Sequence, residues 1–315
     1  MTKKPRAIFF GTPELAAVCL RAVLDVVDVQ LVVSQPDRPQ GRGMHVQPTP
    51  VKQAALEHGV RVIQPTKVRT PDFAAELRAV EADIGVVVAY GRILPSAVLS
   101  APRLSCVNVH ASLLPKLRGA APIQWSIING ESRTGVCLMQ MDEGMDTGAV
   151  LARRELAIGA QETSGELGMR LANLGADILR SELPRVCRGE LAAVPQDHAL
   201  ATHAPMLEKE HGRIAWSLPA QRVHDLVRGT SPWPGAYTFL NGQRLRIHGT
   251  RVLAGGAQAK PAGTILRADA HGIEVACGEG VLAIDELQAD GKRRVSAQQF
   301  CAGHPSLAGA TLTER

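Results

Sequence analysis

The sequence predicts an α/β protein that opens with a parallel sheet covered by helices on both faces and closes with a small antiparallel barrel or sandwich. Three observations carry this. Up to Gly189, apolar runs of strand length alternate with amphipathic segments of helical length, as in strands joined by helical crossovers. Over LAAVPQDHALATHAP, residues 191–205, periodicity fades around two prolines, which fits an extended linker. Beyond it come short alternating segments divided by glycines, the pattern of antiparallel strands.

The elements follow in order. RAIFFG (6–11) is apolar enough for a buried strand, and PELAAVCLRAVLD (13–25) is a helix with Pro in its first turn. VVDVQLVVS (26–34) is the second strand. VKQAALEHG (51–59), VRVIQ (60–64), TPDFAAELRAV (70–80) and DIGVVVAYG (83–91) continue the helix and strand alternation, and LSCVNVH (104–110) is the next strand. TGVCLMQMD (134–142) and GAVLARRELAI (148–158) are later strands, and a long helix over 162–190 closes this part. After the linker, PAQRVHDLVRG (219–229) is a helix. GQRLRIHGT, AGTILRAD, HGIEVACGEG and GVLAIDELQ supply the strands of the second part.

Composition narrows the function classes. With 315 residues the chain can bury more than one core, and 45% hydrophobic with 21% charged residues is ordinary globular content. No run of eighteen apolar residues and no signal-peptide cleavage pattern is present, so a cytoplasmic protein is expected. The six cysteines are scattered without a C-x-x-C pair, which reads as buried thiols rather than a zinc or disulfide framework. A net charge of +5 permits an anionic partner without establishing one.

In an open parallel sheet, ligands bind beyond the carboxyl ends of the strands, where the loops diverge. LSCVNVH ends at that edge, and its two-residue side-chain period puts Asn108 and His110 on one face and Val107 and Val109 on the other. A lone His or Asn at a strand end usually packs or turns the chain. Both on one face, aimed at one pocket, point to chemistry. Asp146 in MQMDEGMDTGAV is a third candidate, with Asp142 and Glu143 as alternatives that spacing does not separate. FFGTPELA lacks both G-x-G-x-x-G and G-x-x-x-x-G-K-[ST], which argues against a nicotinamide dehydrogenase or a P-loop enzyme. PDRPQGRGMHVQPTP (36–50) is a long Pro- and Gly-rich loop of the kind that is functional or mobile. Arg244, Arg246 and His248 alternate with Leu245 and Ile247, so a strand there shows a basic face outward. Lys292, Arg293 and Arg294 form a second basic patch.

FFGTPELA, QPDRPQGRG followed by PTPVK, AYGRILP, NVHASLLPKLRGAAPIQW and MQMDEGMDTG together resemble the formyltransferase family that uses 10-formyltetrahydrofolate. KEHGRIAW, VRGTSPWPGA and LQADGKRRV extend the likeness over nearly the whole chain. The resemblance implies a Rossmann-like catalytic domain over 1–189, a linker over 190–206 and an OB-like β-barrel over 207–315. It implies that Asn108, His110 and Asp146 are catalytic and that Ser112, Leu113, Leu114 and Pro115 bind folate. Arg92, Ile93 and Leu94 match the loop that holds the pterin ring through its main chain. The GRG loop and the second domain match members that act on initiator methionyl-tRNA, with Arg38, Arg42, Arg244 and Arg246 as candidate tRNA contacts. Relatives often carry lysines after GRG, where this chain has Met44, His45 and Val46. The co-substrate implied is 10-formyltetrahydrofolate, with no metal, and the protein is expected to be a monomer. Two rival readings are a formyltransferase for a small amine such as a sugar nucleotide, and a non-catalytic RNA-binding protein that has kept the fold.

Overall fold

The computed structural model describes residues 4–40, 45–254 and 260–315. The chain forms two compact units. One is built from Met1–Pro122, Arg133–Ala157 and Gly168–Pro205, the other from Ile123–Ser132, Ile158–Leu167 and Met206–Arg315.

The first unit begins with β1 (Arg6–Gly11), whose Ile8, Phe9 and Phe10 are wholly buried, and α1 (Glu14–Val26), which turns Ala16, Cys19, Leu20 and Val23 inward at helical spacing. β2 (Asp28–Val33) follows, then a ribbon of β3 (Arg38–Gln40) and β4 (His45–Gln47), α2 (Pro50–Glu57) and β5 (Val62–Ile63). Next come α3 (Pro71–Ala79), β6 (Ile84–Val88), α4 (Ser96–Leu99) and β7 (Cys106–His110). Helices α2 and α3 start alike: a threonine hydroxyl, of Thr49 or Thr70, accepts a backbone N–H three residues on, and a proline occupies the first turn. The chain then runs through α5 (Pro122–Ile128), β8 (Arg133–Gln140), β9 (Val150–Ala157) and α6 (Ser164–Cys187).

The main sheet has the order β5-β2-β1-β6-β7-β8-β9. From β5 to β7 the pairing is parallel, as expected, but β8 and β9 are antiparallel to their neighbours. β9 reverses on β8 because the turn at 141–149 is a hairpin link, too short for a crossover helix, whereas β8 runs against β7 after the longer 111–132 connection that contains α5. The 36–50 loop also carries structure not anticipated, the β3–β4 ribbon. Its base is tied where Lys52 pairs with Asp37 and Gln64 donates to both the Asp37 carboxylate and the Gln35 carbonyl. The expected linker lies within the first unit over 190–205. Val150 and Val194 exchange both backbone hydrogen bonds at 2.9 Å, and Ala204 and Arg118 are bonded at 2.7 Å.

The second unit contains α7 (Ala220–Gly229), β10 (Ala236–Leu240), β11 (Gln243–Leu253), β12 (Ile265–Asp269), β13 (Gly272–Ala276), β14 (Val281–Ala289), β15 (Val295–Ser296), α8 (Ala297–Ala302) and β16 (Leu312–Thr313). Its antiparallel order is β12-β13-β14-β11-β10-β16, with β15 on β14. A bridge between Thr264 and Thr311 joins the two ends of that order, so the sheet closes as a barrel rather than stacking as a sandwich. Leu245, Ile247, Ile273, Val275, Leu282, Ile284 and Phe300 fill it.

The cysteines are free thiols. Burial pushes Cys19 and Cys106 up to about 12, and Cys187 and Cys277 up to about 11, so little thiolate forms near neutrality. None of the described helices is long and apolar enough to cross a membrane.

Candidate active site

Asn108 and His110 share one face of β7, between β6 and β8, with Asn108 opposite Val87 on one side and Met139 on the other. The register sets the problem that Asp146 must solve. Because β8 runs antiparallel, its last residue, Gln140, lies beside Val107, so the 141–149 loop starts at the wrong end of β7 and folds back along it. Asp146 arrives with a left-handed backbone, φ 54°, and its Oδ1 lies 3.5 Å from both Asn108 Nδ2 and His110 Nδ1. Its Oδ2 accepts the Gly119 N–H at 2.9 Å. Asp142, by contrast, ties its own loop, accepting from the Gly144 N–H and the Thr147 hydroxyl. Asn108, His110 and Asp146 are thus the residues brought together.

His110 is 5% exposed, and its Nε2 donates to the Leu117 carbonyl at 3.0 Å. A carbonyl only accepts, so Nε2 carries a proton, and Nδ1 is the nitrogen that faces Asp146. Neither ring nitrogen is free of a partner, whereas the Asn108 amide has two N–H groups and spends at most one on Asp146. The turn after β7 supports this arrangement. Leu117 and Gly119 both have positive φ, 58° and 122°, and a Cβ at Gly119 would sit 2.6 Å from the Ala204 carbonyl oxygen.

A family model described as formyl transferase matches residues 7–183, and one for the formyl transferase C-terminal domain matches residues 206–305. The chain belongs to the formyl transferase family. Curated relatives named methionyl-tRNA formyltransferase include one from Sorangium cellulosum, 49% identical over 98% of this chain and 99% of that protein, and one from Myxococcus xanthus, 50% identical over 98% and 97%. Among solved structures, an N-formyltransferase from Helicobacter canadensis, described in complex with folinic acid and dTDP-3-aminofucose, shares the fold with a TM-score of 0.67 at 17% identity. The match covers 91% of this chain and 99% of that one.

In this formyltransferase the other expected residues divide by exposure. Ser112 is buried and its hydroxyl donates to the Lys116 carbonyl at 2.6 Å, while Leu114 packs with Cys137, Met139 and Val150. Leu113 and Pro115 are the partly exposed members of that turn. Arg92 donates to Gln35 Oε1 at 3.0 Å and to the Thr66 carbonyl at 2.6 Å, Leu94 is buried, and Ile93 is 59% exposed. Arg92 and Ile93 also border a groove of about 440 Å³ with Lys67 and Arg69. Its lining does not include Asn108, His110 or Asp146.

Arg38 is exposed on the β3–β4 ribbon, and Arg42 lies outside the described residues. On β11, Leu245 and Ile247 point into the barrel as expected, and the face opposite is aromatic as well as basic. Arg244 stacks 3.9 Å over the Tyr237 ring, Tyr237 sits opposite Arg246, and Phe239 meets Tyr237 edge to face. The alternation of AYTFL held that signal, and sequence reasoning passed over it. Gln196 was also missed. Its Nε2 donates to the Asp146 and Gly148 carbonyls at 2.9 and 2.7 Å, and nothing in the local pattern around it marks a site.

Proposed function

We propose that this formyltransferase moves the formyl group of 10-formyltetrahydrofolate to the α-amino group of initiator methionyl-tRNA. What supports the acceptor is that relatives at about half identity over essentially the full chain, second domain included, carry the name methionyl-tRNA formyltransferase. The observation that carries the chemistry is the convergence of an amide, an imidazole and a carboxylate within 3.5 Å.

In the reaction, the amine nitrogen bonds to the formyl carbon, a tetrahedral intermediate with a negative oxygen forms, and collapse breaks the bond from that carbon to the folate N10. The amine loses a proton and N10 gains one. Asn108 is the principal oxyanion donor, since its second N–H is uncommitted, and a donor aimed at developing charge stabilises the transition state more than the ground state. Asp146, 17% exposed and 3.5 Å from His110 Nδ1, accepts the amine proton and passes it on, with the buried His110 ring lying behind the carboxylate. The exposed Ile93 gives an apolar surface for the pterin ring beside main-chain groups, and Leu113 and Pro115 offer contacts from the 112–115 turn.

The direct test compares formyl transfer from 10-formyltetrahydrofolate to charged initiator tRNA, charged elongator tRNA and a nucleotide-linked amino sugar. Turnover with the initiator far above both others is the expected result. Preference for the amino sugar would replace the tRNA by a small amine.

A further inference from the structure

We infer that Gln196, backed by Arg118, is a positioning residue for the Asp146 carboxylate. The inference rests on the formyl-transfer reading of Asn108, His110 and Asp146 given above. Asp146 reaches β7 only because a loop from the far end of the neighbouring strand doubles back, and it does so through a left-handed backbone that a non-glycine residue seldom adopts. Such a conformation persists only where surroundings fix it. Gln196 supplies that fixing: one amide nitrogen donates to the carbonyls of Asp146 and Gly148 together, clamping the loop on either side of Thr147.

Gln196 is itself held. Its Oε1 accepts from Arg118 Nε at 3.1 Å and from an Arg118 terminal nitrogen at 2.7 Å, a forked contact that fixes the amide plane and forces Nε2 toward the loop. Gln196 is 8% exposed and Arg118 5%, so water competes poorly for these bonds. The remaining Arg118 nitrogen donates to His198 Nδ1 at 3.2 Å, and among the described residues no carboxylate pairs with this guanidinium. A buried cation satisfied by neutral acceptors is a costly arrangement for stability alone. The neighbours of Arg118 show its use: Leu117 provides the carbonyl that binds His110, and Gly119 the N–H that binds Asp146. Backbone bonds to Thr202 and Ala204, together with the Thr202 hydroxyl on the Leu117 N–H, hold this turn. Residues 196–204 therefore brace both the carboxylate and the imidazole.

The test uses the full-length enzyme with Gln196→Glu, Gln196→Met, Asp146→Asn and the double variant Gln196→Glu with Asp146→Asn. Gln196→Glu keeps oxygen acceptors for Arg118, so the buried cation stays satisfied, and it replaces the two donations to the 146–148 loop by a carboxylate oxygen that the two carbonyls repel, while Gln196→Met removes the donations without that charge. A displacement of about 1 Å at a reacting group costs up to about a hundredfold in rate. Both single Gln196 variants are expected to lose about ten- to a hundredfold in kcat, with KM for 10-formyltetrahydrofolate and for methionyl-tRNA within about twofold of wild type. Adding Gln196→Glu to Asp146→Asn is expected to cost nothing further, since residues that act through one another are non-additive. Wild-type kcat in both Gln196 variants overturns the inference while leaving the catalytic reading intact. So does full multiplication of the two effects, or a kcat loss that merely tracks loss of folded protein. Wild-type kcat in Asp146→Asn instead removes the catalytic reading on which the inference rests.

Discussion

The Leu117 carbonyl decides which nitrogen of His110 carries a fixed proton, and that choice turns Nδ1 to Asp146. The roles proposed for the three side chains are separable. Asn108→Ala removes the proposed oxyanion donor and is expected to lower kcat about a hundred- to a thousandfold in a folded protein, by steady-state formyl transfer alongside circular dichroism. His110→Ala is expected to lose at least as much, because it also releases the carboxylate's buried-side partner. Gly119→Ala is a different kind of change: φ of 122° and a 2.6 Å approach to the Ala204 oxygen leave no room for a methyl group, so the turn must shift and carry its N–H away from Asp146. Denaturant titration should find it destabilised by about 1–3 kcal/mol, with turnover reduced further than the stability loss explains. The Asn108 and His110 face was legible in the sequence because a strand's side chains repeat every two residues. By spacing alone Asp146 was not separable from Asp142 and Glu143, and only the family resemblance singled it out, because the distinction is made by a loop reversing over the sheet. Gln196 lies 50 residues beyond its target, out of range of any local pattern.

Among the elements, apolar runs located the strands well but left their direction open, since a buried strand has the same periodicity whether it runs parallel or antiparallel. The short 141–149 connection marks β8 and β9 as a hairpin, but the 111–132 connection with its helix is long enough for either direction, so the reversal of β8 against β7 had no local signal. The second unit shows a comparable limit at α7. PAQRVHDLVRG is legible as a helix, yet its His224, Asp225 and Arg228 are all buried. Arg228 pairs with Asp225 and donates to the Gly159 and Glu162 carbonyls, and His224 donates through Nε2 to the Ala160 carbonyl while Nδ1 accepts the Thr250 hydroxyl. Burial, first of all, holds the His224 pKa below the ordinary imidazole value, with Arg228 acting in the same direction. The unfolded chain therefore binds a proton that the folded chain refuses once pH falls below about 6.5, so stability is level above that value and declines with acidification beneath it. The limiting slope for one such group is about 1.4 kcal/mol per pH unit. Urea titrations at pH 7.5 and 5.5 should find a smaller acid loss in His224→Gln than in wild type; equal losses would assign the acid sensitivity to other groups.

Across the whole molecule, the net charge of +5 is modest, so attraction for an anionic acceptor depends on where cations cluster. On the outer face of β10 and β11, the Arg244 guanidinium is occupied by the Tyr237 ring, and Arg246 is the exposed one. In the proposed tRNA role, Arg246→Glu is expected to weaken tRNA binding and to reduce the slope of log K against log salt by about 0.9, the value of one released duplex phosphate contact. An unchanged slope would take this face out of the interface. The change in character near residue 190 was plain in the sequence. What composition did not convey is that a proline-interrupted, weakly periodic stretch can still be fixed in place by backbone pairing, as Val194, Thr202 and Ala204 are. That pairing bears on how the protein can be dissected. A fragment designed to stop at 189 would keep Asn108, His110, Asp146 and the 112–115 turn and still forfeit Gln196 and Thr202, leaving the carboxylate on a slack hinge. A piece meant to retain all those braces has to extend through Ala204, inside the unit that reaches Pro205.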